Sequence, residues 1–171
     1  GPLAGGMMRF GIPKYRLPRD ILDAEIARIV AMGVRLELNT KVDDIEAAMA
    51  GFDAAFLAVG AHIAKRAYIP AGGAARILDA VQLLRSMEGE EQPLLGRRVV
   101  VYGGGNTALD AARTARRLGA SEAIIVYRRT REKMPAHDFE LEEALQEGVS
   151  MKWLSTIKHV EGGAMTIEKM A

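Results

Sequence analysis

The sequence predicts an α/β fold built on a parallel sheet, and three observations carry that prediction. An apolar run at 99–102 breaks at Gly103-Gly104-Gly105, and a face of helical spacing follows it. A second β-rich run, 122–127, comes after that helix, so the order is strand, glycine turn, helix, strand. At the end of the chain, runs at 157–161 and 165–170 flank Gly162-Gly163, the signature of a separate β-hairpin.

In chain order, residues 1–18 are rich in glycine and proline and predict no regular element. They are too apolar and basic for a flexible linker, which predicts a loop held by packing or by a ligand. Pro18 opens a helix with Asp20 and Asp23 in its first turns, an apolar stripe of Leu22, Ile26, Ile29 and Val30, and Gly33 as its stop. Residues 34–38 alternate, predicting a strand with one face buried, and 43–50 predict a short helix. Residues 53–59 are apolar on both faces, as in an interior strand of a covered sheet, and end at Gly60, where a backbone can approach a flat ligand. A connector over 61–75 contains Pro70 and Gly72-Gly73; a helix over 77–86 and a polar surface loop over 88–93 follow.

In the central unit, Ala108, Ala111, Ala112, Ala115 and Leu118 make one helical face, and Gly119 ends it. Asp110, Arg113, Arg116 and Arg117 lie off that face and predict a solvated side. A loop over 130–136 leads to a helix over 138–147, carrying Phe139, Leu141, Ala144 and Leu145, then a strand over 149–154. Residues 1–60 read as the tail of one α/β unit and 77–171 as a second, nearly whole one. The predicted boundary falls at 76/77. The N-terminal third is then either an appendage or part of something larger.

The central turn fits G-x-G-x-x-A at Gly103, Gly105 and Ala108, the Rossmann-like dinucleotide pattern, with its strand before and its helix after. Gly103 allows the tight turn, Gly105 has no Cβ to hold a pyrophosphate off the backbone, and Ala108 is small enough for close helix–strand packing. The free N–H groups and positive dipole end of the helix face a diphosphate. An NAD site usually carries Asp or Glu about 20 residues past the first glycine, where it bonds the ribose 2′-OH. Here the second strand's tip carries Arg128, Arg129 and Arg131 instead. Guanidinium groups bind a 2′-phosphate that a carboxylate would repel, so the sequence predicts an NADP(H) preference.

Composition narrows the classes. A length of 171 residues allows one good-sized core, or one domain with part of another. A net charge of +1 gives no electrostatic case for nucleic acid or an acidic membrane surface. With no cysteine there is no disulfide, thiolate iron–sulfur ligand or cysteine nucleophile. No apolar run approaches the roughly 20 residues of a membrane span, and no secretory signal pattern opens the chain, so a cytoplasmic location is expected. The histidines at 62, 137 and 159 share no ligand spacing, and no metal is assigned.

Four blocks resemble one family. GGMMRFGIPKYRLP at 5–18 is similar to the G-G-x-x-x-x-G-I-P-x-x-R-L-P stretch of the glutamate synthase small (beta) subunit and its relatives, among them the flavin/NADPH part of dihydropyrimidine dehydrogenase. FDAAFLAVGA at 52–61, GGGNTALDAARTA at 103–115 and VYRRTREKMPA at 126–136 continue the resemblance in order. It implies an NADPH domain inserted into an FAD domain, with hydride passing from NADPH to FAD and electrons leaving toward an iron–sulfur-containing partner domain or subunit. By the family pattern Gly104, Gly105, Asn106 and Thr107 hold the NADP pyrophosphate, and Arg128 and Arg129 the 2′-phosphate. Gly5, Gly6, Met7, Arg16 and, more weakly, Val42 fall on FAD, with Gly60 added from its place at the end of an apolar run. Arg16 serves the FAD phosphate or the flavin, or is a surface arginine; Val42 is equally a core residue, and Met7 a packing one. Family members also carry a G-x-G-x-x-G before the first block, a further FAD segment after the NADPH domain, and N-terminal cluster cysteines, all missing here. The chain is therefore expected to be an internal fragment whose unpaired FAD half is open to dimerisation.

Three functions compete at this level. The first is the NADPH-binding portion of a flavin oxidoreductase, which needs no protein acid or base for the hydride step and so has no catalytic residue to name. The second is a stand-alone NADP-binding regulatory module. The third, a short-chain dehydrogenase with a Tyr/Lys pair, has no Y-x-x-x-K to support it.

Overall fold

The computed structural model describes residues 1–171 except 62–66, 72, 74, 90 and 171. Three strands form a parallel sheet: β1 (Arg98–Tyr102), β2 (Glu122–Val126) and β3 (Val149–Lys152), in the order β1-β2-β3. The register sets Val100 against Ile124 and Ile125 against Met151. Each crossover is a helix. Between β1 and β2 runs Asn106–Arg117, and between β2 and β3 runs Asp138–Gln146 after a 3-10 turn at Arg131–Lys133. The central strand, apolar on both sides, is buried by two layers.

On one face the two crossover helices supply the core. Leu109, Ala112 and Ala115 meet Ala123 and Ile125 of β2, Leu141 and Ala144 of the second helix, and Val149 of β3. The alanine row lets the helix lie close to the sheet, as its spacing predicts. On the other face lies the predicted hairpin, β4 (Ser155–Glu161) with β5 (Ala164–Lys169), antiparallel. Ile157 and Val160 of the hairpin pack with Val126 and with Ala71, and Val160 N–H donates to Pro70 O at 3.1 Å. The described part of the predicted connector thus covers sheet; Gly72 and residues 62–66 lie outside the described residues.

The first third departs from expectation. Residues 1–18 contain a helix, α1 (Gly6–Phe10), where no regular element was expected. Gly5, at φ 110°, turns the chain into it, and buried Arg9 ties it to the next helix through Asp23. That next helix is α2 (Arg19–Ala31), with Pro18 at its cap as predicted. Its stripe is not buried: Leu22 is, while Ile29 and Val30 are 49% and 40% exposed. α3 (Ile45–Met49) follows the prediction, Asp44 Oδ1 accepting from Glu46 N–H at 2.9 Å. Residues 34–38 and 53–59, expected as strands, pair with no strand among the described residues, and Phe56 is 92% exposed. An alternating or apolar run becomes a strand only when another strand satisfies its backbone.

α4 (Ala80–Ser86) begins three residues later than expected because Asp79 caps it, accepting from Gln82 N–H at 2.9 Å. The remaining crossover helices are α5 (Asn106–Arg117) and α6 (Asp138–Gln146). The side of α5 expected to face solvent is partly covered: Asp110 and Arg113 are 4% and 5% exposed, while Arg116 is half-buried and Arg117 exposed as expected. On α6 the expected core residue Phe139 is exposed and Glu140 is buried. The burial of Asp110, Arg113 and Glu140 has one cause, the 13–19 segment lying against these helices, as its side-chain contacts show.

Candidate dinucleotide site

The site begins where β1 ends. Gly103 takes φ 154°, and its N–H donates to Val126 O at 3.1 Å, keeping the turn in line with the neighbouring strand. A Cβ on Gly103 would stand 3.6 Å from Ala108 Cβ, so the helix enters at ordinary van der Waals distance. Gly105 is the N-cap of α5 at φ −92°, ψ 173°. Its carbonyl accepts from Ala108 N–H at 2.9 Å and Leu109 N–H at 3.3 Å. A Cβ there would meet nothing within 4 Å, so the space above the helix start is open. No acidic side chain stands in the first turn, which leaves the positive dipole end uncompensated. The N–H groups of Asn106 and Thr107 precede the first intrahelical bond and have no hydrogen-bond partner among the described residues, an arrangement suited to an anion.

Gly104 has a reason of its own. A Cβ on it would lie 2.4 Å from the ring carbons of Tyr127, which is 7% exposed. Its bare Cα is what lets the tyrosine sit under the turn. Gly104→Ala is therefore expected to cost about 1–3 kcal/mol, the scale of an overpacked core. Urea denaturation checks it, and an unchanged midpoint would show that the tyrosine gives way freely.

At the tip of β2 the three arginines divide. Arg128 and Arg129 are exposed, and neither side chain makes an ion pair or hydrogen bond among the described residues. Arg131 instead pairs with Glu142, with Asp138 at 3.9 Å. Asn106 also has an internal partner: its Oδ1 accepts from His137 N–H at 3.2 Å.

The residues carried over to FAD are less uniform. Gly5 is packed, a Cβ there meeting Leu22 Cδ2 at 3.0 Å, whereas Gly6, at φ 50°, has nothing within 4 Å. Gly60 takes φ 71°. Met7 and Val42 are 36% and 57% exposed. Arg16 is not a free surface arginine. Its Nη1 donates to both carboxylate oxygens of Asp110, at 2.9 and 2.8 Å, and its Nη2 pairs with Glu140.

Around that arginine lies a cluster that sequence reasoning missed. Arg113 bonds Glu143 at 2.8 Å and Glu147 at 2.6 Å, and Arg113 and Arg117 stack on the Tyr15 ring at 4.8 and 4.0 Å. Burial pushes the Tyr15 phenol up to about 12, with Asp110 adding to it. Burial also raises the Asp110 carboxyl above the usual range, outweighing the guanidinium beside it. Helical periodicity sorts charged residues to solvent; only contacts distant in sequence reveal that these are covered. No group of three or more His, Asp or Glu suited to a metal occurs among the described residues, and none of their helices is long and apolar enough to cross a membrane.

The family described as pyridine nucleotide-disulphide oxidoreductase matches residues 19–170. The chain is 43% identical to the NADP(+)-dependent formate dehydrogenase subunit beta of Moorella thermoacetica, covering 90% of this chain and 22% of that one. It is 39% identical to the NADPH-Fe(3+) oxidoreductase subunit beta of Geobacter sulfurreducens, covering 87% and 23%. It is 33% identical to the glutamate synthase [NADPH] small chain of Escherichia coli, covering 89% and 35%. The chain thus spans less than half the length of these curated relatives.

Proposed function

Because the chain belongs to the pyridine nucleotide-disulphide oxidoreductase family, we propose that it is the NADPH-binding portion of a flavin-dependent oxidoreductase. The observation that carries this reading is one pairing at the end of the sheet. An open cradle at Gly105 lies over an uncompensated helix start, and two unpaired arginines stand at the tip of the adjacent strand. The cradle fits a diphosphate and the arginines fit a 2′-phosphate. The relatives from Moorella, Geobacter and Escherichia are named for NADP(+) or NADPH, which agrees with this preference.

In this reading residues 77–171 form the NADPH domain and 1–76 part of an FAD domain with its connector. When bound, NADPH would supply the hydride and FAD would be its acceptor, with iron–sulfur clusters of a partner domain or subunit as the destination of the electrons in this reading. The chain's own work is binding and orientation. The N–H groups of Asn106 and Thr107 hold the diphosphate, and Arg128 and Arg129 fix the adenosine end. For FAD, Gly6 offers open backbone, but the Arg16 guanidinium is committed to Asp110 and Glu140. Without Arg16, FAD in this chain would rest on Gly6 and Gly60 with the exposed Met7 and Val42.

Calorimetric titration with NADPH, NADH and FAD in turn tests the reading. Tight NADPH with weak NADH supports it, and absence of binding to either nicotinamide cofactor overturns it. Arg128→Ala is expected to weaken NADPH by about 1.5–3 kcal/mol, the scale of a hydrogen bond to a charged group. NADH should hardly change, and equal losses for both would remove the 2′-phosphate assignment.

A further inference from the structure

We infer that Tyr127 is a positioning residue that splints the arginine loop to the diphosphate turn and so sets the preference for the 2′-phosphate. The inference rests on the reading of Arg128 and Arg129 given above. Tyr127 follows directly on β2, and its backbone is held on both sides: its N–H donates to Lys152 O at 2.9 Å, and its carbonyl accepts from Ser155 N–H at 3.0 Å. The side chain then turns under the glycine turn, where its ring occupies the space a Cβ on Gly104 would need. Trp153 meets it edge-on, centroids 6.2 Å apart. A buried phenol has to find a partner for its hydroxyl. This one donates to Lys133 O at 2.7 Å, the carbonyl of the residue that ends the 3-10 turn beyond the arginines.

That bond closes the loop. Arg128 and Arg129 are exposed and lack side-chain contacts of their own among the described residues, so the anchors at either end of their loop fix where they stand. One anchor is the Tyr127 backbone, continued by Leu154 N–H donating to Arg129 O at 3.2 Å, and the other is Lys133, held by the hydroxyl beside the Arg131–Glu142 pair. Two further bonds run from the same loop to the turn, Ala136 N–H to Gly104 O at 3.3 Å and His137 N–H to Asn106 Oδ1 at 3.2 Å. The two halves of the dinucleotide site are therefore joined through the tyrosine and its loop. Ordering two arginines in advance spares a bound 2′-phosphate that entropic cost.

Tyr127→Phe keeps the ring beneath Gly104 and removes only the hydroxyl. Calorimetry with NADPH and NADH is run on the parent chain, Tyr127→Phe, Arg128→Ala and the double variant, with the urea midpoint of each. Tyr127→Phe is expected to weaken NADPH about 3- to 10-fold, the range of one neutral hydrogen bond, with NADH within about twofold. In the Arg128→Ala background the same change should have a smaller effect on NADPH, since the two act through one phosphate. A selective Arg128→Ala with an indifferent Tyr127→Phe overturns the tyrosine's role and leaves the site reading standing. Equal losses of both cofactors in Tyr127→Phe, alongside a lowered midpoint, make the residue merely structural and also overturn it. If Arg128→Ala itself fails to discriminate the cofactors, the 2′-phosphate reading falls and this inference falls with it.

Discussion

Gly105→Val is expected to lose measurable dinucleotide binding while the domain stays folded. The backbone at Gly105, φ −92° and ψ 173°, is extended and open to any L-residue. A Cβ there would meet no atom within 4 Å, so the fold offers no steric objection. What stability is lost comes from a β-branched residue at a helix N-cap, about 1 kcal/mol or less. The open space is where a diphosphate must come to reach the N–H groups of Asn106 and Thr107. Two charge-assisted hydrogen bonds at about 1.5–3 kcal/mol each exceed a hundredfold in affinity. Far-UV circular dichroism with thermal melting shows whether the chain folds, and calorimetry with NADPH reads the binding. A folded variant that still binds NADPH would reduce the glycine turn to a connection between strand and helix.

The contrast with Gly104 shows how much of the site was legible. Within one glycine triplet, Gly105 is open above and Gly104 is packed below. The spacing G-x-G-x-x-A marks the turn and assigns the roles of Gly103, Gly105 and Ala108 from general geometry. It says nothing of Gly104, because what sits there is a tyrosine 23 positions on. The βαβ unit and the hairpin were readable for a related reason: each strand finds its partner across a single short crossover or turn, so local pattern and pairing agree. Residues 34–38 and 53–59 carry patterns just as strong, yet no partner strand is present among the described residues. Pattern shows which face could be buried, not whether anything arrives to bury it. Asp110, Arg113 and Glu140 fail in the opposite direction, since Tyr15 and Arg16 arrive from about 100 residues away to cover them.

Arg16→Ala should be the most destabilising of the substitutions considered, and its cost should depend on pH. The Asp110 and Glu140 side chains are 6% and 2% exposed, and Glu140 Oε2 has no hydrogen-bond partner among the described residues. Removing the arginine leaves two buried carboxylates, and Arg113, which also acts on Asp110, is already held by Glu143 and Glu147. Stranding a buried charge costs about 3–5 kcal/mol. Because Arg16 is itself a quarter exposed, with a side-chain accessibility of 24%, water can enter in its place and the lower end applies. The sign with pH follows from Asp110, whose carboxyl already lies above the usual range because of burial. A carboxyl raised in the fold binds its proton more tightly there than in the unfolded chain, so the penalty is full above the folded value and relieved as pH falls. Without Arg16 the rise is larger and the relief begins at higher pH. The stability gap between variant and parent should be widest near neutrality and narrow toward the ordinary carboxylate range, about pH 4. Urea denaturation of both chains across that interval reads the gap directly. A gap that stays constant would mean the loss comes from packing of the arginine stem, and no gap at all would mean the ion pairs contribute nothing to holding the 13–19 segment on α5 and α6.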